Sequence, residues 1–317
     1  MRHIQKLYAV AVCLLWMATT LCGCDATPDK AVEELNVYAT FYPLYAIADM
    51  ILDGVPDARL NCLVQPQDGC LRSYALSDWD FALLSRSADA IIAGGSGLES
   101  FESLLYSMGD SVPAVTEVLV NMELCTQAVV NAESNTAESH WKGGNPHIYM
   151  SVDGAIEIAS RIAANLAVLD PQYEGRYMQN LETARNRLES LKIETSQRTG
   201  KLKNTRVAIL NEALVYVAQD YEMEIALCYA RESGESLTGK ALEALIDQIG
   251  NSGAEVILIE KQAPRALLDA LEGTGIPVAA MDTLSTRQAG EGAEGYFEAQ
   301  RANATAICEA LHANTEQ

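Results

Sequence analysis

Histidine is scarce in this chain, and one of its four histidines stands at a position suited to metal binding. His147 follows Asn145-Pro146 and directly precedes a long amphipathic stretch, so it lies where a loop meets a helix. Neutral imidazole is the commonest metal-ligating side chain, and carboxylates complete such sites. Glu212 and Asp282 each follow a predicted strand. Because ligands sit beyond the carboxyl ends of parallel strands, Glu212 and Asp282 are predicted to point into one cleft, where they form a candidate site with His147. The alternative is a histidine with only a structural role.

Other chemistries lack their sequence signatures. The chain contains no G-x-S-x-G elbow and no P-loop, and Gly94-Gly95-Ser96-Gly97 lacks the spacing of a dinucleotide fingerprint. No cysteines show the C-x-x-C spacing that is typical of zinc sites and redox motifs. Because no nucleophile–base pair is apparent either, we expect a protein that is not an enzyme.

The composition is acidic and rich in apolar residues. The 317 residues carry 43 Asp and Glu against 22 Lys and Arg, a formal net charge of −21, and 49% of them are hydrophobic. That apolar share excludes a disordered acidic chain. The charge argues against nucleic acid as a partner, because phosphates require surplus Lys and Arg, and against a basic membrane-docking surface. A cation or a neutral ligand fits the balance better.

The amino terminus has the pattern of a bacterial lipoprotein signal. Basic residues precede an apolar run at 7–21, which is too short for a comfortable membrane span. The run ends in Leu21-Cys22-Gly23-Cys24, which resembles a lipobox. We therefore expect residues 1–23 to be removed, Cys24 to be lipidated, and 24–35 to form a polar tether outside the cell membrane. An ordinary signal peptide is the alternative.

Two further cysteines flank a short turn. Cys62 and Cys70 are separated by a segment rich in Pro, Gln, Asp and Gly. An exported chain permits a disulfide between them. Two separate buried thiols are the alternative, because cysteine packs as a small hydrophobe.

Short apolar runs alternate with amphipathic stretches after residue 35, and this alternation predicts an α/β fold with parallel sheets covered on both faces. Three segments are predicted: an amino-terminal lobe at 36–168, a connecting helix at 169–200 and a carboxyl-terminal lobe at 201–317. Strands are predicted at 37–41, 60–64, 90–93, 114–119, 206–210, 225–229, 256–259 and 277–281. Helices are predicted at 43–51, 78–85, 98–105, 151–169, 171–198, 213–219, 239–249 (capped by Thr238), 264–271 and 295–313, with a loop at 133–144.

Several motifs carry a family resemblance. The run Asn145-Pro146-His147-Ile148-Tyr149-Met150-Ser151 is similar to a D/N-P-H-x-W-x-S motif, and the segments 37–45 and 89–99 are similar to the opening strand–helix unit and a glycine turn of the same family. On these residues the chain resembles the zinc- and manganese-binding extracytoplasmic subunits of bacterial ABC importers, over nearly its whole length after residue 35. The resemblance implies two Rossmann-like lobes joined by a long rigid helix, with one metal ion between them.

The resemblance also assigns ligands, and two positions depart from the family pattern. His147 and Asp282 match the family's histidine and carboxylate. Arg72 stands where a second histidine belongs, and Asn211, beside Glu212, replaces a third. Arginine has no lone pair and repels a cation, whereas asparagine offers only an amide oxygen. The remaining oxygen-rich set favours manganese or another oxygen-tolerant ion over zinc.

His140 lies in the polar loop before the motif and is a candidate auxiliary ligand, with a solvated loop residue as the alternative. The function that the resemblance implies is capture of zinc or manganese by a monomeric, lipid-anchored subunit that delivers the ion to an ABC permease and its ATPase. Two alternatives stay open. Arg72 could pair with Asp282 or Glu212 and leave an adhesin-like lipoprotein without metal, or it could recognise an anionic or chelated ligand.

Overall fold

Strands and helices alternate along the chain in the computed structural model, which describes residues 34–66, 71, 74–107, 114–126, 129–130, 137–138, 143–229 and 237–313. The strands are β1 (Leu35–Ala39), β2 (Ala58–Cys62), β3 (Ala90–Ala93), β4 (Ala114–Glu117), β5 (Val129–Val130), β6 (Ala137–Glu138), β7 (Arg206–Ile209), β8 (Glu224–Cys228), β9 (Val256–Glu260) and β10 (Val278–Met281). The α-helices are α1 (Tyr42–Leu52), α2 (Asp78–Ser87), α3 (Glu102–Ser107), α4 (Val152–Leu169), α5 (Glu174–Thr199), α6 (Val215–Asp220), α7 (Gly239–Ser252), α8 (Arg265–Glu272) and α9 (Glu294–Ala313). Short 3₁₀ turns include His147–Met150, Pro171–Tyr173 and Glu212–Leu214.

The strands form two parallel sheets of four strands each, which confirms the predicted α/β class. The first sheet has the order β2-β1-β3-β4 and the second the order β10-β9-β7-β8, while β5 and β6 form a separate antiparallel pair. Strands β3 and β9 are buried along their whole length, as expected where helices cover both faces of a sheet. In the second sheet, β9 lies between β10 and β7. Because these three strands are parallel, the loops that follow them all leave from the carboxyl edge of the sheet.

Local sequence signals account for most helix ends. Pro43 stands in the first turn of α1, where its missing N–H costs nothing. Ser77 and Asp80 form a capping box at the start of α2. Gly253 ends α7 in the left-handed conformation, with φ of 70°. Thr238 occupies the N-cap position of α7, but its side chain makes no capping hydrogen bond, so the predicted cap is wrong in that respect.

Most predicted elements are present with bounds shifted by a few residues, as for the strands predicted at 37–41 and 60–64, and two predictions differ more from the structure. The helix expected at 98–105 begins only at Glu102, because Gly95, Ser96 and Gly97 all have positive φ and form a turn after β3. The loop expected at 133–144 contains β6, which pairs with β5. A strand of two residues is too short to show the alternation by which strands are recognised in a sequence.

The long helix α5 lies between the two sheets in sequence and packs against α4, α1 and α9. Within the second half of the chain, α9 reaches back to the first: Tyr296 Oη donates to Tyr149 O (3.1 Å) and Gln300 Nε2 to Met150 O (2.9 Å). These contacts tie α9 to the turn that follows His147. The division at residues 168 and 200 stays a prediction.

Among the helices that the structure describes, none combines the length and the apolar character that a bilayer crossing requires. The predicted signal segment and Cys24 lie outside the described residues.

Candidate metal-binding site

Two of the predicted carboxylates lie at the carboxyl edge of the second sheet. Asp282 directly follows β10, and Glu212 begins a 3₁₀ turn three residues after β7. Both residues are buried, with 5% and 7% of their surfaces exposed. Since β9 separates β10 from β7, the two strands are about 10 Å apart at strand spacing. The topology therefore places both residues at the carboxyl ends of strands in one sheet, separated by β9, and their sharing of one cleft stays a prediction.

His147 is oriented by the asparagine of its own motif. Asn145 Oδ1 lies 2.7 Å from His147 Nδ1 and also accepts a hydrogen bond from the His147 backbone N–H (3.0 Å). The amide orientation is fixed because Asn145 Nδ2 donates to the Glu212 carbonyl oxygen (2.8 Å). With an oxygen facing it, Nδ1 carries the ring proton in the neutral imidazole, so the lone pair belongs to Nε2. In this tautomer Nε2 is the nitrogen that can ligate a metal ion, with Nδ1–H held by an oxygen partner.

The same asparagine connects the two halves of the candidate site. Its side chain bonds His147 on one side and Glu212 on the other, and its carbonyl oxygen accepts a hydrogen bond from Tyr216 Oη (2.6 Å). Tyr216 Oη in turn accepts from the Cys125 N–H (3.0 Å). Burial raises the pKa of Tyr216 to about 12, so its hydroxyl stays protonated and remains a donor. The turn His147–Met150, called the histidine turn below, is therefore held through Asn145 by residues that follow β7 in the chain.

A glycine allows the turn to approach α4. A Cβ on Gly154 would stand 2.2 Å from the Ile148 carbonyl oxygen, well inside any permitted contact. Glycine is required here for close backbone approach rather than for its φ angle.

The side chain of Asn211 caps the turn that directly follows it. Its Oδ1 accepts a hydrogen bond from the Ala213 N–H (3.0 Å) and caps the Glu212–Leu214 turn. An amide oxygen has two lone pairs, so the cap leaves one for a further contact. Its place among the ligands stays a prediction.

Asp282 is held by two cationic side chains. Its Oδ2 accepts hydrogen bonds from Lys261 Nζ (2.8 Å) and Arg287 Nε (3.0 Å), and its Oδ1 accepts one from the Leu284 N–H (2.9 Å). Burial alone would raise the pKa of Asp282, but these hydrogen bonds and the two positive charges outweigh it and hold the pKa below its ordinary value. Asp282 is therefore an ionised carboxylate that accepts three hydrogen bonds.

Asn145 links the His147 ring to the backbone carbonyl oxygen of Glu212, while the Asp282 carboxylate is engaged by Lys261 and Arg287. Within the described ranges, no three His, Cys, Asp or Glu side chains are grouped as a metal site would require. Arg72, His140 and Cys70 lie outside the described residues, so their predicted roles stay predictions. The thiol of Cys62 donates to Val64 O (3.3 Å), and its pairing with Cys70 is likewise untested.

Three residues with a place in the site were not singled out from the sequence. Asn145 belonged to the quoted motif, but its contact with Glu212 O depends on the tertiary fold. Lys261 directly follows β9 and so obeyed the same strand-end rule that selected Asp282. Arg287 had no comparable signal, since it lies in an irregular loop.

Comparison with known proteins supports the fold and the family resemblance. The chain matches the family model "ZnuA: Zinc-uptake complex component A periplasmic" over residues 37–310. It is 23% identical over 289 residues to a "Putative metal-binding protein" of Treponema pallidum (strain Nichols), covering 89% of each chain. It is 22% identical over 171 residues to "Manganese ABC transporter substrate-binding lipoprotein PsaA" of Streptococcus mitis, covering 53% of this chain. The matched region spans about half (55%) of that relative.

A solved structure has the same fold. The substrate-binding protein FpvC of Pseudomonas aeruginosa, in complex with Mn²⁺, superposes with a TM-score of 0.76 at 20% identity and covers 88% of this chain and 99% of that one. At this identity the likeness establishes the architecture. The particular residues of a site have to be argued from this chain.

Proposed function

This chain belongs to the ZnuA family, the periplasmic component A of zinc-uptake complexes, and on that premise we propose that it captures a divalent metal ion, zinc or manganese, for an ABC importer. It holds the ion and passes it on, without catalysing a reaction. The observation that carries the proposal is the family match over residues 37–310. The contact of His147 Nδ1 with Asn145 Oδ1 supports it, because this contact assigns the lone pair to Nε2.

The proposed ligands are His147 Nε2 and the carboxylates of Glu212 and Asp282, with the Asn211 amide oxygen as a fourth donor. Asn145 binds both the His147 ring and the backbone carbonyl oxygen of Glu212, and this link between the two segments supports a shared site. One nitrogen among oxygen donors suits manganese better than a set of three histidines would. We therefore expect manganese to compete well with zinc, although zinc binds more tightly to most nitrogen-containing sites.

The delivery partners that fit this function are a permease and an ATPase of the importer. A lipid on Cys24 would keep the subunit at the outer face of the cell membrane, next to that permease. A monomer suffices, because every proposed ligand comes from one chain.

Calorimetry tests the proposal directly. Purified full-length protein, stripped with a chelator, is titrated with MnCl₂ and with ZnCl₂, and we expect one ion per chain with micromolar or tighter affinity. His147→Ala should weaken binding by about 100-fold or more, since loss of a ligand exceeds the effect of losing its hydrogen-bond partner. His312→Ala, on α9, is the matched control and should bind like the wild type.

If the wild type shows no heat of binding with either ion, the proposal that it captures a free metal ion is wrong. That result would favour the alternative of a lipoprotein of the same fold that takes an anionic or chelated ligand, or none.

A further inference from the structure

The Asp282 carboxylate has little capacity left for a metal ion. A carboxylate offers about four lone-pair positions. Three of them accept hydrogen bonds here, one on Oδ1 from the Leu284 N–H and two on Oδ2 from Lys261 and Arg287. An ion that binds Asp282 must use the remaining position beside two positive charges or displace one of the donors.

The two cationic partners differ in how firmly they are held. Arg287 is 11% exposed and also donates to Glu291 Oε2 (2.6 Å) and Glu298 Oε2 (3.2 Å), so its own position is fixed by three carboxylates. Lys261 is 44% exposed, and its ammonium sits on a flexible four-carbon stem. Of these two, Lys261 is the group that can move into solvent without breaking a network.

We propose that Lys261 is a built-in competitor of the metal ion: its ammonium occupies Asp282 Oδ2 when the ion is absent and swings out when the ion binds. This inference rests on the proposed function and deepens it, because it names the residue that sets the affinity of the site. The ammonium and the metal ion carry like charge and compete for the same oxygen, so they exclude each other there, whereas the charge of Arg287 is balanced by Glu291 and Glu298.

A tethered competitor suits a subunit that must release its cargo. The ammonium is covalently attached, so its effective concentration at Asp282 is high and independent of the surroundings. Each time the ion loosens, Lys261 returns to the carboxylate. Binding is weaker than the ligand set alone would give, and release is faster.

The test compares two lysine variants by calorimetry with MnCl₂ and ZnCl₂ on chelator-stripped full-length protein. Lys261→Gln removes the competitor, and we expect it to bind manganese about tenfold more tightly or better than the wild type. Lys203→Gln is the matched control, because Lys203 also forms an ion pair, with Glu222, but before β7 at the opposite edge of the sheet. It should bind like the wild type.

A second measurement on the wild type needs no variant. An amine-reactive reagent is applied with and without saturating MnCl₂, and the modification of each lysine is read by mass spectrometry. We expect the reactivity of Lys261 to rise with the ion and that of Lys203 to stay constant.

Equal or weaker binding by Lys261→Gln, or an unchanged reactivity of Lys261 in metal-loaded protein, would overturn the competitor role while leaving metal capture intact. If neither the wild type nor Lys261→Gln binds either ion, the proposed function itself fails. If Lys261→Gln binds an ion and the wild type does not, the result supports both the competitor role and the proposed metal capture.

Discussion

At the scale of single residues, the asparagine before the histidine determines what the histidine can do. Asn145 fixes the proton on His147 Nδ1 and thereby assigns the lone pair to Nε2. The same side chain binds Glu212 O, so it also sets the distance between the histidine turn and the loop after β7. Asn145 is not itself a proposed ligand, but it positions two residues that are, His147 and Glu212.

Replacement of this asparagine should weaken metal binding. Asn145→Ala removes the hydrogen bond that orients His147, and loss of such a partner typically costs 10- to 100-fold in affinity. We expect a decrease of about that size in calorimetric titrations with manganese. Asn165→Ala removes an exposed asparagine on α4 and should change nothing. An unaltered affinity in Asn145→Ala, with the fold retained by circular dichroism, would contradict this role.

The strand-end rule selected Glu212 and Asp282 from the sequence, and it applied equally to Lys261. Lys261 does not stand out among candidate metal ligands, because a protonated lysine has no lone pair to donate. Arg287 could not be found in this way. Its approach to Asp282 depends on the path of a loop in which Leu284 has a positive φ of 66°, and no periodic pattern encodes such a path.

At the scale of elements, the start of α4 is stabilised by a residue of another helix. Ser151 is the N-cap, yet its side chain makes no bond to its own helix. Instead Asp220, the last residue of α6, accepts hydrogen bonds from Ser151 Oγ (3.0 Å) and the Val152 N–H (3.2 Å). A carboxylate at a helix amino terminus also suits the helix dipole. Burial nevertheless dominates and raises the pKa of Asp220 to about 6 from an ordinary 3.8.

The raised pKa of Asp220 predicts the direction in which the free energy of unfolding changes with pH. Because the folded protein binds the Asp220 proton more tightly than the unfolded chain, the contribution of Asp220 to stability is largest below about pH 4 and is lost as the pH rises through 6. An upward shift of roughly two in pKa corresponds to about 3 kcal/mol. Relative to Asp220→Asn, the free energy of unfolding of the wild type should therefore fall by a few kcal/mol between pH 4 and pH 7.

Urea unfolding at several pH values measures this difference. Asp269→Asn, which removes an exposed carboxylate of α8, should keep the wild-type pH dependence. Parallel stability curves for the wild type and Asp220→Asn would show that Asp220 does not titrate differently in the folded protein.

Elements with strong periodicity were predictable. A continuous apolar run predicted the strand at 90–93, and a long apolar stripe predicted the helix at 171–198, whose α-helical part begins at Glu174 after a 3₁₀ turn. The cap by Asp220 was not predictable, because it joins residues 68 and 69 positions apart. Local propensity reveals where a helix begins but not which distant side chain binds its first amides.

At the scale of the whole molecule, the two sheets are connected by more than one segment. Helix α5 packs on α4 and α9, and α9 bonds to the 3₁₀ turn of His147 through Tyr296 and Gln300. On α1, Tyr42 Oη donates to Gly292 O (2.8 Å) just before α9. Such a junction resists rotation of one half against the other, because any hinge motion must break several buried hydrogen bonds.

We therefore expect metal binding to change side chains and loops rather than the arrangement of the two sheets. Small-angle X-ray scattering of chelator-stripped and manganese-loaded protein should give the same radius of gyration within error. Addition of chelator to the loaded sample controls for aggregation. A clear decrease in the radius upon loading would instead indicate closure of the two halves around the ion.

The partners of Asn145 have a consequence for the order in which the protein is synthesised and folds. The oxygen that its amide binds, on Glu212, and the hydroxyl of Tyr216 come 67 and 71 positions later in the chain. A ribosome synthesises the first half before either of them exists, so the histidine turn is left without its anchors until the second sheet has folded. A chain released before residue 212 would still hold Asn145 beside His147, but it would lack the two groups that anchor Asn145 itself.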